Sequence, residues 1–161
     1  MYKAISKFYL SCFGLGYLPV APGTFGSIGA SILIYFTFNS TFLFHFSTFA
    51  LFTGLSYFFI YLTTQNKVYA LNDPSWVVQD EFSGLYLTFL LYKFCFPHPG
   101  TSFMHIGIIL VSFRIFDIWK PWPINKIDET HTPFSIMNDD LAAGVYAGAL
   151  SCALIFLAQL N

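Results

Sequence analysis

The sequence predicts an all-α fold, a compact bundle of about five or six helices that is membrane-embedded or membrane-associated. Three observations carry that prediction. Of 161 residues, 56% are apolar and 21% aromatic but only 9% charged, where a soluble domain has about 25%. Residues 8–66 contain no Asp, Glu, Lys or Arg, residues 82–113 contain only Lys93, and residues 141–161 contain none. The apolar runs are separated by short segments rich in Gly, Pro, Asn and Asp, which end helices. By length the chain, residues 1–161, reads as one domain.

The elements follow in order. Residues 1–7 suit a short interfacial helix, with Lys3 and Lys7 ahead of an apolar run. That run soon meets Pro19, Pro22 and several glycines, so no cleavable signal peptide is expected. Gly14, Gly16, Pro19, Pro22 and Gly23 argue against a regular helix there, with the next one running over residues 28–38. Thr24 and Ser27 precede that helix. A Gly/Thr/Ser turn opening a helix either offers backbone N–H groups to a phosphate or is an ordinary capped turn, and both readings stand. Residues 42–62 form an uncharged stretch of 21 residues, long enough to cross a bilayer. A polar patch with Lys67 follows, then Asp73-Pro74-Ser75, a turn expected to start a helix. Asp80 and Glu81 stand just before the apolar run 82–96, as a metal site or as solvated charges at a helix mouth.

His98-Pro99-Gly100 turns the chain, and residues 102–119 return it. Arg114, Asp117 and Lys120, at spacing i, i+3, i+6, fall on one side of that helix, where Asp117 can bond either cation. Pro121 and Pro123 end it. A loop carrying Lys126, Asp128, Glu129 and His131 leads to Asn138-Asp139-Asp140, which open the last apolar run, 141–160. The adjacent aspartates suit a helix N-terminus, or hold a divalent cation together with Asp80 and Asp117.

Charge is concentrated where chemistry needs it. Of the 7 basic and 8 acidic residues, 8 lie within residues 114–144. The net charge of −1 argues against nucleic acid as a partner. Cys12, Cys95 and Cys152 form no CxxC pair and read as small buried residues. If the five long runs alternate direction, every polar motif falls at one face, along with all basic residues except Lys93. By the positive-inside rule that face is cytoplasmic. The runs 28–38 and 82–96 are short for straight crossings, so some are expected to be re-entrant or packed in the bundle.

Carboxylates, cations and a Gly-Thr turn at one membrane face make a metal-plus-phosphate inventory. Mg²⁺ favours a few carboxylates together with water and phosphate oxygens. Asp80, Glu81, Asp117, Asp139 and Asp140 are the candidate metal ligands. Arg114 and Lys120 would neutralise the phosphoryl oxygens, and Gly23, Thr24, Ser27 and Lys120 would bind the phosphate. The apolar body would take a lipid's acyl chains.

With these motifs assembled, the chain resembles the phosphatidylglycerophosphatase A family, bacterial enzymes that convert phosphatidylglycerophosphate to phosphatidylglycerol. The matching stretches are GLGYLPVAPGTFGS (14–27), VVQDEFSG (77–84), FRIFDIWKPWPI (113–124) and MNDDLAAG (137–144). The resemblance implies an all-α bundle in the bacterial inner membrane, Mg²⁺ dependence and a phospholipid substrate. It also implies catalytic roles for Asp80, Asp117, Asp139, Asp140, Arg114 and Lys120. One stretch departs from the family: a glycine-rich turn, His-Gly-Gly-x-Gly, is here His131-Thr132-Pro133-Phe134-Ser135. Other phosphatase signatures are missing: there is no DxDxT motif, no Cys with Arg six residues later, and no PSGH-like histidine. His45 and His105, on apolar runs, read as packed residues. The opposing reading is a non-catalytic membrane protein with each carboxylate paired to a cation. Convergent carboxylates with too few cations would separate the two.

Overall fold

In the computed structural model, residues 2–65, 74–97 and 103–159 are described, and among them there are helices and no strands. Helix α1 (Tyr2–Leu10) is followed by a turn of 3₁₀ helix at Leu15–Tyr17, and α2 spans Pro22–Thr37. The uncharged stretch forms α3 (Phe42–Gln65). Then come α4 (Gln79–Cys95), α5 (Phe103–Trp119), the short α6 (Ile124–Asp128) and α7 (Ser135–Gln159). The turns at Lys67, Asp73 and His98–Gly100 lie outside the described residues.

The helix starts correct the sequence reading in three places. Pro22 and Gly23 belong to α2, because a proline at the first helical position has no intrahelical partner to lose. The expected helix at Pro74 starts instead at Gln79. Pro74 closes a turn with Val77 at 2.8 Å, and the Val78 N–H is used on the Leu10 carbonyl at 3.0 Å, tying α1 to the entrance of α4. The last helix begins at Ser135, so Asp139 and Asp140 lie in its second turn and do not cap it.

Helix α4 is the hub and packs against α2, α3, α5 and α7. Its burial runs all round, from Asp80 through Phe82, Leu85 and Tyr86 to Phe89 and Tyr92. Two glycines bring α7 close: a Cβ on Gly144 would sit 2.5 Å from the Gly84 carbonyl oxygen, and one on Gly84 would sit 2.6 Å from the Asp140 backbone carbonyl oxygen. The Thr88 hydroxyl donates to the Gly144 carbonyl at 3.2 Å across this crossing. Further along, Gly148 faces Leu91. The pairing order 84–144 then 91–148 makes α4 and α7 parallel. Helix α2 also runs parallel to α4, with Gly23 beside Glu81 at one end and the Phe38 carbonyl bonded by Lys93 at the other. Helix α3 is antiparallel, pairing Phe52 with Phe82 and His45 with Phe89. So is α5, with Phe113 against Gly84 and His105 against Tyr92. The N-termini of α2, α4 and α7 and the C-terminus of α5 therefore meet at one end.

The two histidines are structural, as read from their apolar runs. His45 Nδ1 pairs with the Tyr86 hydroxyl at 2.9 Å and its Nε2 with the Thr37 carbonyl at 3.0 Å. His105 Nδ1 pairs with the Tyr92 hydroxyl at 2.9 Å. Lys93, at the opposite end from the other described cations, satisfies the C-terminal carbonyl of Phe38 at 2.5 Å and lies over the Phe38 and Phe89 rings.

Two helical stretches are long and apolar enough to cross a membrane, Phe42–Thr63 and Ser135–Gln159. Only 22% and 33% of the residues in their most apolar windows are buried inside the protein, so each helix keeps an accessible apolar face. Helices α2, α4 and α5, at 16, 17 and 17 residues, fall short of the roughly 20 needed for a straight span. They pack in the bundle, α4 most deeply.

Candidate functional site

The Gly84–Gly144 crossing builds the site. One helical turn ahead of each glycine stands an aspartate, Asp80 on α4 and Asp140 on α7, so the close backbone approach brings the two carboxylates together. Glu81 joins them. One carboxylate oxygen from each of Asp80, Glu81 and Asp140 lies within 4.8 Å of the others. Asp80 and Asp140 are 5% and 4% exposed. Gly23 is the reason Glu81 fits, because a Cβ there would sit 1.8 Å from Glu81 Oε1. Glu81 Oε2 is buried and has no hydrogen-bond partner among the described residues. Burial pushes the Glu81 carboxyl up, and the nearby Asp117 charge pushes it the same way, against the pull of Asp80 and Arg114.

The other predicted residues form a second layer. Arg114 Nη1 forms an ion pair with Asp117 Oδ2 at 2.5 Å at the end of α5, without the geometry of a hydrogen bond. The expected ladder stops there. Lys120 leaves the helix at φ +43°, and its Nζ bridges Asp128 Oδ1 at 2.8 Å and Asp139 Oδ2 at 2.7 Å. Burial weakens the Lys120 charge, but the two carboxylates more than offset it and raise its pKa. Asp139 is thereby diverted from the metal cluster in which the sequence reading placed it. Consecutive residues on a helix point about 100° apart, so Asp139 faces Lys120 while Asp140 faces α4. Asp117 lies beside Asp140 without joining the three-oxygen cluster.

The phosphate-turn residues divide similarly. Ser27 donates to the Gly23 carbonyl within its own helix at 3.2 Å and is fully buried, so its hydroxyl is spent locally. Thr24 lines an apolar hollow together with Arg114. No side chain caps α2. Sequence reasoning missed Gln79 and Asp128. Gln79 is completely buried, and neither its Oε1 nor its Nε2 has a partner among the described residues, which costs about 1–3 kcal/mol per group. An amide directly before an acidic pair, in so apolar a run, was the available signal. Asp128 gave none beyond its charge.

Three convergent carboxylates, one of them with a buried oxygen that has no hydrogen-bond partner among the described residues, form a set suited to a hard divalent ion. Asp80 and Asp140 converge as the enzyme reading expects, whereas Asp117 and Asp139 are each paired with a cation, as the non-catalytic reading expects. The phosphatidylglycerophosphatase A family profile matches residues 8–155. The chain belongs to the phosphatidylglycerophosphatase A family. Phosphatidylglycerophosphatase A of Escherichia coli is 35% identical over 141 residues, covering 86% of this chain and 76% of that protein. The same enzyme of Haemophilus influenzae is 33% identical over 138 residues, 84% of this chain and 79% of that protein. A relative from Bacteroides thetaiotaomicron described as a putative phosphatidylinositol-3-phosphatase is also 33% identical over 138 residues, 84% of each chain. No solved structure matches the chain. As a member of the phosphatidylglycerophosphatase A family, the chain is a phosphatase enzyme of phospholipid metabolism.

Proposed function

We propose that this chain removes the terminal phosphate of phosphatidylglycerophosphate to give phosphatidylglycerol, with Mg²⁺ held by Asp80, Glu81 and Asp140. The observation that carries the reading is the convergence of those three carboxylates at the α4–α7 crossing within 4.8 Å. Mg²⁺–oxygen bonds of about 2.1 Å place ligand oxygens up to about 4.2 Å apart, so a small rotation of one side chain closes the set. When bound, the ion supplies Lewis acidity toward a phosphoryl oxygen and neutralises its charge. The chain's own groups do the rest. Lys120, held charged by Asp128 and Asp139, presents a cation to the phosphate end of the site. Asp117 holds the Arg114 guanidinium by an ion pair, leaving its N–H groups to meet substrate oxygens. Burial of Asp80 and Asp140 keeps bulk water from screening these interactions.

In this reading α3 and α7 cross the bilayer and α2, α4 and α5 pack beside them. The site end carries Lys7, Arg114, Lys120 and Lys126 and faces the cytoplasm by the positive-inside rule.

The test is phosphate release from phosphatidylglycerophosphate in detergent, with Mg²⁺ against EDTA. Asp80→Asn and Asp140→Asn are expected to lower the rate by about 100-fold or more, since even outer partners of a metal site are worth 10–100-fold. Release that persists in EDTA, or in both variants, would sink the proposal. The Bacteroides thetaiotaomicron relative motivates phosphatidylinositol 3-phosphate as a parallel substrate. A higher kcat/KM on that lipid would reassign the substrate while keeping the site.

A further inference from the structure

An apolar groove runs along the outer side of the bundle between α2 and α5, in two adjoining hollows that share Leu110. The larger, of about 520 Å³, is walled by Leu110, Val111, Ile115 and Ile118, with Thr24 and Arg114 as its polar residues. The smaller, of about 240 Å³, continues between Ile28, Ile32 and Ile106. At its far end Tyr35 of α2 stacks on Phe103 of α5, ring centroids 4.6 Å apart, and makes a floor.

We propose that this groove binds one acyl chain of the lipid substrate, with the glycerol end of the lipid at Arg114. The inference rests on the lipid phosphatase reading above and adds where the lipid lies. Three observations point to that occupant. The polar end of the groove adjoins the carboxylate cluster, since Thr24 follows Gly23, which packs against Glu81, and Arg114 is paired with Asp117. From Thr24 to Tyr35 the helix rises about 16 Å, close to one leaflet of a roughly 30 Å hydrocarbon core. The walls also stay open to the bilayer, with Ile32 54%, Val111 59% and Ile118 74% exposed. A chain can therefore slide in sideways from the membrane, keeping its tail in hydrocarbon while its headgroup reaches the cluster. A cation at the mouth of an otherwise apolar groove complements the phosphodiester that joins such a headgroup to its glycerol.

The experiment compares wild type with Val111→Trp and Ile32→Trp, both outward-facing positions away from the cluster, on dioleoyl- and dihexanoyl-phosphatidylglycerophosphate. The six-carbon chains are too short to fill the groove. Filling it is expected to raise KM for the dioleoyl lipid roughly tenfold, equivalent to exposing about two methylenes, with kcat and the dihexanoyl kinetics unchanged. Native mass spectrometry in detergent provides the second readout. Wild type is expected to retain one dioleoyl-phosphatidylglycerol, and the variants to lose it. Equal loss on both substrates, or no change on either together with unaltered lipid retention, overturns the proposal. If wild type releases phosphate from neither lipid, the function proposed above fails, and lipid retention alone decides the groove.

Discussion

Gly23→Ala isolates the proposed metal site from the fold. The added Cβ would sit 1.8 Å from Glu81 Oε1, which must retreat by about 1.6 Å to reach ordinary contact near 3.4 Å. The obstacle is the end of a side chain, so the backbone need not move. Pushing Glu81 off its preferred rotamer costs about 0.5–1.5 kcal/mol. Replacing a helical glycine by alanine returns about 0.5–1 kcal/mol. The two nearly cancel, and the thermal midpoint is expected to stay within a few degrees of wild type. Ligand oxygens, by contrast, must lie within about 0.2 Å of their proper distance, so a displacement eight times larger removes Glu81 from the set. The Mg²⁺ concentration giving half-maximal phosphate release is then expected to rise by about 100-fold or more, the loss of one anionic ligand. Gly54→Ala, with nothing within 4 Å of the new Cβ, is the matched control. A Gly23→Ala enzyme with wild-type Mg²⁺ dependence would refute the placement of Glu81 as a ligand.

Other substitutions test neighbouring steps. Gly144→Ala places a Cβ 2.5 Å from the Gly84 carbonyl oxygen, which is backbone and cannot yield without separating α4 from α7. A loss of about 1–3 kcal/mol is expected in thermal unfolding, before any question of catalysis. Lys120→Met strands Asp139, whose side chain is 7% exposed, and should both abolish phosphate release and cost about 1–3 kcal/mol, less than a fully buried pair because Lys120 is itself 28% exposed. Breaking the pair between Lys126 and Glu129, 63% and 57% exposed, should change neither stability nor rate measurably, and Lys126→Ala checks this.

The fold class was legible because membrane-scale apolar runs leave few ways to fold, and the polar punctuation between them placed the motifs at one end. What was illegible is rotational and local. Asp139 and Asp140 are adjacent in sequence, and only the direction of α7 against α4 decides that one meets Lys120 and the other the cluster. Lys120 read as the third rung of a helical ladder, but its backbone is left-handed at φ +43° and its amine meets Asp128 instead. Pro22 read as a helix breaker because position within a helix, not residue type, decides whether its missing N–H matters. Which of the short apolar runs are packed rather than spanning was also illegible. Apolar runs of the length of α4 look alike whether they face lipid or protein, and α4 is buried by four neighbours.

Where the family turn relies on glycines, this chain uses side-chain hydrogen bonds. The Ser135 N–H donates to Thr132 Oγ1 at 3.1 Å and the Ser135 hydroxyl donates to the Thr132 carbonyl at 2.7 Å, so Thr132 caps α7. Phe134 packs on Tyr57, whose hydroxyl bonds Asn138 in the first turns of the same helix. These contacts fix where α7 starts and hence the height of Asp140 beside Asp80, a task that freely rotating glycines leave to other contacts. Thr132→Ala should therefore cost about 1 kcal/mol of stability, the usual value of a cap, with kcat unchanged at temperatures where the protein stays folded. Thr132→Gly with Pro133→Gly and Ser135→Gly restores the family pattern and should lower the thermal midpoint further, through the lost hydroxyls and the greater freedom of the unfolded chain. If the restored glycines instead raise kcat well above wild type at equal stability, the turn serves the phosphate directly, and the substitutions in this chain have cost it activity that the caps do not return.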